Sequence, residues 1–133
     1  MAKPAAKKKP ATSLGDLLPD FKRVKAAAKT TKLPGIDEGT SYGTPGMKVK
    51  GKFLLRVREP DVLVLMCSLE EKEFLMQNAP TIYFETDHYK DYPAVLIRLS
   101  KIKDDELAHR IAVAWALQAP KKLLTEVEGK KKA

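Results

Sequence analysis

"EGTSYGTPGMKVKGK", residues 38–52, poses a choice between a glycine-rich phosphate cradle and a β-hairpin with a basic face. It holds four of the chain's seven glycines, four hydroxyl residues (Thr40, Ser41, Tyr42 and Thr44), and lysines at alternate positions, Lys48, Lys50 and Lys52. A phosphate loop of the P-loop kind needs a strand, then G-x-x-x-x-G-K-[ST], then a helix whose first amides face the phosphate. Here no Lys-Ser or Lys-Thr pair follows a glycine, and the dinucleotide spacing G-x-G-x-x-G is missing. The segment that follows has the period of a strand. The stretch therefore reads as a hairpin, with Gly43, Pro45, Gly46 and Gly51 as turn and bulge residues.

Working outward, Met47, Val49, Phe53, Leu55 and Val57 alternate with polar or basic positions and are expected to face the core. Lys48, Lys50, Lys52, Arg56 and Arg58 then project from the other side, with Leu54 and Tyr42 among them. Two readings of that face stand: a track for a phosphate backbone, or a solvated face whose lysines blunt a sheet edge. Lys50-Gly51 and Glu59-Pro60-Asp61 are turns. The apolar run "VLVLM", residues 62–66, belongs inside the sheet. The expected form is an antiparallel meander.

Helices bracket these strands. Asp20 is the expected N-cap of "FKRVKAAAKTTK", with Phe21, Val24 and Ala28 on one face and Lys22, Arg23, Lys25, Lys29 and Lys32 on the others. Ser68 with Glu71 three positions on forms a capping-box pattern before a second helix. "TIYFET" and "AVLIRLS" read as two strands joined by the loop "DHYKDYP". Asp104 is the expected cap of the next helix, whose inner stripe is Leu107, Ile111, Ala114 and Trp115. "KKLLTEV" after Pro120 adds a short final helix.

With 133 residues, the chain is large enough for one hydrophobic core without metals or disulfides. The single cysteine, Cys67, fits a reducing compartment. No apolar run reaches the length of a membrane span, and the basic start lacks the apolar stretch of a secretory signal. A cytoplasmic monomer is expected. Seven of the 25 basic residues lie in the two ends, and the 18 between them face 17 acidic ones, so the net charge of +8 belongs almost wholly to the ends. The expected division is a disordered basic tail over 1–19, an α+β domain over 20–129 and a basic tail over 130–133. Lys7, Lys8 and Lys9 are either tethers for phosphate or solubilising groups.

Other chemistry is weakly signalled. His88 beside Asp87 and Asp91 could act as a general base, yet Ser41, Ser68 and Ser100 sit in no nucleophile motif. The plainer reading packs Tyr89 and Tyr92 at the sheet edge, with Tyr42, His88, Tyr89 and Tyr92 as the candidate ligand or partner loop. His88 and His109 are far apart and Cys67 is alone, so no metal site or cofactor is expected.

Three segments together resemble the MmcQ/YjbR family: "LPGIDEGTSYGTPGMKVKGK" (33–52), "TDHYKDYPAVLIRL" (86–99) and "AWALQAPKKL" (114–123). Asp91 stands where many relatives have glycine, and the lysine-rich start lies outside the family pattern. The resemblance implies a two-layer, CyaY-like α+β domain with helices on one face of an antiparallel sheet. It also implies DNA binding and no enzymatic activity. Iron binding, which the frataxin-like topology raises, is not expected because the first helix is basic. The leading expectation is a non-enzymatic DNA-binding module with little sequence readout, using Lys48, Lys50, Lys52, Arg56, Arg58 and the tails. A protein-interaction domain, and a small-ligand domain or weak enzyme near Tyr42, His88 and Tyr92, are the alternatives.

Overall fold

The computed structural model describes residues 14–41 and 43–132, with the side chains of 14–16, 41 and 128–132 excepted. Among the described residues four helices and six strands follow one another. They are α1 (Leu14–Thr31), β1 (Ile36–Ser41), β2 (Thr44–Val49), β3 (Lys52–Glu59), β4 (Val62–Met66), α2 (Leu69–Asn78), β5 (Tyr83–Phe84), β6 (Ala94–Arg98), α3 (Asp104–Gln118) and α4 (Lys121–Lys132). Short 3-10 turns occupy Asp87–Tyr89 and Leu99–Lys101.

The fold is α+β, with a six-stranded antiparallel sheet in the order β1-β2-β3-β4-β6-β5. The expected meander holds through β4 and then changes. The chain leaves β4, passes through α2 to the edge strand β5, and returns so that β6 lies between them. β1 was not expected: "IDEGTS" carries one large apolar residue and gives no alternating signal.

The main core lies between the sheet and the helices. Leu17, Phe21 and Val24 of α1 and Leu107, Ile111 and Trp115 of α3 pack on Met47, Leu55, Leu65 and Val95. This matches the stripes read from the sequence. α1, however, begins at Leu14 and runs through Pro19, with Leu17 fully buried. The boundary expected at residue 20 falls inside this helix, and Asp20 is not its N-cap. Instead the Asp20 carboxylate accepts the backbone N–H of Asp61 at 2.7 Å. Asp61 in turn accepts the Ser100 backbone N–H and hydroxyl, at 2.6 and 2.8 Å. These bonds hold the β3–β4 turn, where Asp61 has a φ of 69°.

Asp104 is likewise a first-turn residue rather than a cap. Its carboxylate takes the Nε of Arg23 at 2.8 Å, while the same guanidinium donates to the carbonyls of Leu99 and Ile102. Arg23 is thus a strut between α1 and α3, not part of a free basic helix face. Ser68 does cap α2, accepting the Glu71 N–H at 3.1 Å.

The β2–β3 hairpin closes on Lys50-Gly51, both with positive φ (48° and 86°), as a two-residue hairpin turn requires. Beyond it, Lys48 pairs with Phe53 but Met47 pairs with Leu55, so Leu54 is an extra residue in β3. This β-bulge reverses the alternation at its own position. Leu54 and Leu55 both enter the main core, and Phe53, expected there, lies on the opposite face.

That opposite face carries a second apolar cluster of Val62, Val64, Met66, Tyr89, Ala94 and Leu96, with Phe53 and Phe84 packed against it. One cross-sheet row reads Gly46, Arg56, Val64, Leu96, Phe84. The five cations expected on one face are therefore divided. Lys48 shares the outer face with Phe53 and Arg56, Lys50 sits in the turn, and Lys52 pairs with inward-facing Val49. Arg58 stands at a second irregularity beside Glu59, with which it is ion-paired at 2.7 Å.

Candidate functional site

The loop "TDHYKDYP" folds over the outer face and, with β3, forms a cleft of about 180 Å³ lined by Phe53, Arg56, His88, Tyr89 and Tyr92. Each lining residue is positioned by a local cause. The bulge at Leu54 turns Phe53 outward. Arg56 reaches across β2, where Gly46 leaves space: a Cβ there would stand 2.6 Å from the Leu55 carbonyl and 3.1 Å from the Arg56 Cβ. The guanidinium donates to the hydroxyls of Thr44 and Tyr89, each at 3.0 Å. It is half-buried and committed to the cleft wall, so it is not one of a row of solvated cations.

Tyr89 is the hinge of the aromatic group. Its ring meets His88 and Tyr92 edge-on, with centroids at 5.1 and 5.9 Å. The loop is clamped from below by Lys72 of α2, only 2% exposed. The ammonium donates to the carbonyls of Tyr89 and Tyr92 at 2.6 and 2.9 Å and pairs with Glu85 at 2.8 Å. All three of its protons are used, which is what makes burying an ammonium tolerable. Nothing in "SLEEKEF" marks this lysine as different from a solvated one.

Of the expected site residues, the structure brings His88, Tyr89, Tyr92 and Arg56 to the cleft, places Lys48 on the same face, and leaves Lys50, Lys52 and Arg58 outside it. Tyr42 and Lys7, Lys8 and Lys9 lie outside the described residues. Phe53, read as core, was missed as a cleft residue. The sheet edge beside the lysines is β1, where Asp37 stands opposite Lys48 and Glu38 lies 3.5 Å from Lys25.

Two of the three serines considered as nucleophiles have structural partners. Ser68 caps α2 and Ser100 is held by Asp61. Among the described residues no carboxylate is bonded to His88, and no cluster of three His, Cys, Asp or Glu side chains could hold a metal ion. Cys67 is buried, and desolvation pushes its thiol from 9.0 up to about 11. It stays protonated at neutral pH and is a poor nucleophile. No helix among the described residues is long and apolar enough to cross a membrane.

The three sequence segments that carried the resemblance meet in space. The Trp115 indole donates to the Pro34 carbonyl at 2.8 Å, and a Cβ on Gly35 would stand 2.7 Å from Leu123. On the other face Arg56 joins Thr44 to Tyr89. The result is a small two-layer domain with an aromatic cleft on the sheet face away from the helices.

The chain belongs to the YjbR family, whose model matches residues 31–117. Similar curated proteins include an uncharacterized protein of Mycobacterium tuberculosis and one of Mycobacterium bovis. Each is 42% identical over 65 residues, which is 48% of this chain and 50% of the relative. The chain spans about half the length of the curated relatives it matches. No solved structure matches it significantly.

Proposed function

We propose that this protein is a non-enzymatic nucleic-acid-binding module whose outer sheet face and β2–β3 tip contact the phosphate backbone. The observation that carries this reading is the placement of Lys48, Lys50 and Lys52, all exposed, around the tip of the β2–β3 hairpin, with Lys48 on the sheet face that holds the aromatic cleft. Cations set next to π-faces suit a polymer that offers both phosphates and bases. Asp37 opposite Lys48 tempers the local field, and the excess charge of the chain ends adds long-range attraction. Contacts of this kind favour position over sequence. Arg58, paired with Glu59, and Arg23, tied to α3, have no part in the proposal.

A protein-interaction reading has less support. Leu69 and Phe74 are exposed on α2, but five positions place them about 140° apart around a helix, so they form no single stripe. A cytoplasmic setting belongs to the proposal and is supported by the single, buried cysteine.

The test is the salt dependence of binding to a labelled oligonucleotide, for the full chain and for a variant with Lys48, Lys50 and Lys52 changed to Ala. Each lost phosphate contact reduces the slope of log K against log salt by about 0.7 to 0.9. The triple variant should flatten it by roughly 2 to 3. Absence of binding at about 50 mM salt, or an unchanged slope in the triple variant, would overturn the proposal.

A further inference from the structure

We infer that the cleft between β3 and the 86–92 loop receives one unstacked nucleobase, so that the protein prefers single-stranded over duplex nucleic acid. This rests on the nucleic-acid reading above and names the form of the polymer that the site takes. The walls are aromatic and differ in exposure. Phe53 is packed on the apolar cluster, Tyr89 is bonded to Arg56, and Tyr92 is 45% exposed at the rim with exposed His88 nearby. A planar ring is the ligand shape that such walls accept, since every base offers a π-face to an aromatic side chain.

The surroundings suit a base attached to a phosphate rather than an apolar ring alone. Lys48 is the exposed cross-strand partner of Phe53, so a basic side chain rises from the same sheet face as the aromatic wall. Arg56 is bonded to Thr44 and Tyr89 and acts as a positioning residue that fixes the Tyr89 ring. Lys72 fixes the loop backbone at Tyr89 and Tyr92 from the other side. The aromatic group is therefore pre-organised, which lowers the cost of ordering it around a ligand. Bases within a duplex are stacked and paired, and entry to a cleft of this kind requires one to leave the stack. A single strand meets that requirement without unpairing.

The experiment compares the full chain with Tyr92→Ala and Tyr92→Phe, using a labelled short single strand and a hairpin duplex of the same sequence. Circular dichroism serves as the check on folding. Native protein should bind the single strand more tightly. Tyr92→Ala should lower that affinity by about 5- to 140-fold, the range expected for loss of one base–aromatic stack. Duplex affinity should stay unchanged, and Tyr92→Phe should retain single-strand binding because the ring remains.

Equal affinity for both forms, or an unaltered single-strand affinity in a folded Tyr92→Ala variant, would overturn the inference while leaving backbone binding in place. Failure to bind either oligonucleotide would overturn both readings. Displacement of the strand by a nucleoside monophosphate, with no gain of affinity from added strand length, would assign the cleft to a free nucleotide and overturn the single-strand claim.

Discussion

The Lys72 ammonium lies 2.8 Å from the Glu85 carboxylate, buried beneath a loop whose two tyrosine carbonyls take its remaining protons. One side chain of α2 thus ties the segment before the loop to the loop itself, and the cleft depends on it. Replacing Lys72 by Met keeps much of the volume but leaves two carbonyls and a carboxylate without their donor. The expected loss is about 1–3 kcal/mol. Urea denaturation would measure it, and hydrogen exchange should quicken first over residues 86–92. A variant as stable and as protected as the native chain would show that the clamp is dispensable.

Gly46 permits the close crossing of Arg56 over β2. A methyl group at this position would press on the Leu55 carbonyl at 2.6 Å, a backbone atom that cannot swing aside. Gly46→Ala should destabilise by about 1–3 kcal/mol through overpacking. Gly39→Ala is the control, because a Cβ there meets nothing within 4 Å. Equal midpoints for the two variants would contradict the proposed crowding.

Alkaline pH should weaken the fold. Burial raises the Cys67 thiol from 9.0 to about 11. Burial, reinforced by the hydrogen bond to Glu106, raises the Tyr83 phenol above its ordinary value of 10.0. Both groups hold their protons more tightly in the folded chain than in the unfolded one. As pH rises, the unfolded chain therefore sheds protons first, and stability falls. The contribution of Cys67 is complete below pH 9.0 and lost as pH passes about 11, with that of Tyr83 declining from 10.0 upward. Melting curves across this range should show the decline, and Tyr83→Phe should lack the later part.

Cys67 should resist modification. At neutral pH a thiol-specific reagent should label the native protein slowly and the urea-unfolded protein fully, since both burial and the raised pKa suppress the thiolate. Rapid labelling of native protein would show that the strand end at Met66 opens readily.

Much of the helical layer was legible because it is written in spacing. The stripe Leu107, Ile111, Ala114 and Trp115 is buried as its period demands, and Ser68 caps α2 as its capping box predicts. The α+β class followed from the same kind of local signal, and the family from the resemblance of three sequence segments. The start of α1 was hidden because Pro19 and Asp20 together mimic a helix beginning, although the chain was already helical at Leu14. β1 was hidden because its order comes from pairing with β2 rather than from its own side chains. The cleft was only half visible. Its loop stood out through His88, Tyr89 and Tyr92, but the roles of Lys72 and Arg56 depend on Tyr89, 17 and 33 residues away in sequence, and that of Phe53 on the bulge.

The extra residue at Leu54 means that β3 is read in two frames, one from Lys52 to Phe53 and another from Leu55 onward. A single-codon deletion there would restore one unbroken frame, with Phe53 still opposite Lys48 and Leu55 still opposite Met47. The outer face and its cleft would survive, and the loss would fall on the main core, which would give up the fully buried Leu54 side chain. A substitution that abolished the bulge without shortening the strand would act the other way, turning Phe53 inward and stripping the cleft of one wall. The frame of pairing at this point, more than the identity of any side chain, decides which surface the aromatic ring serves.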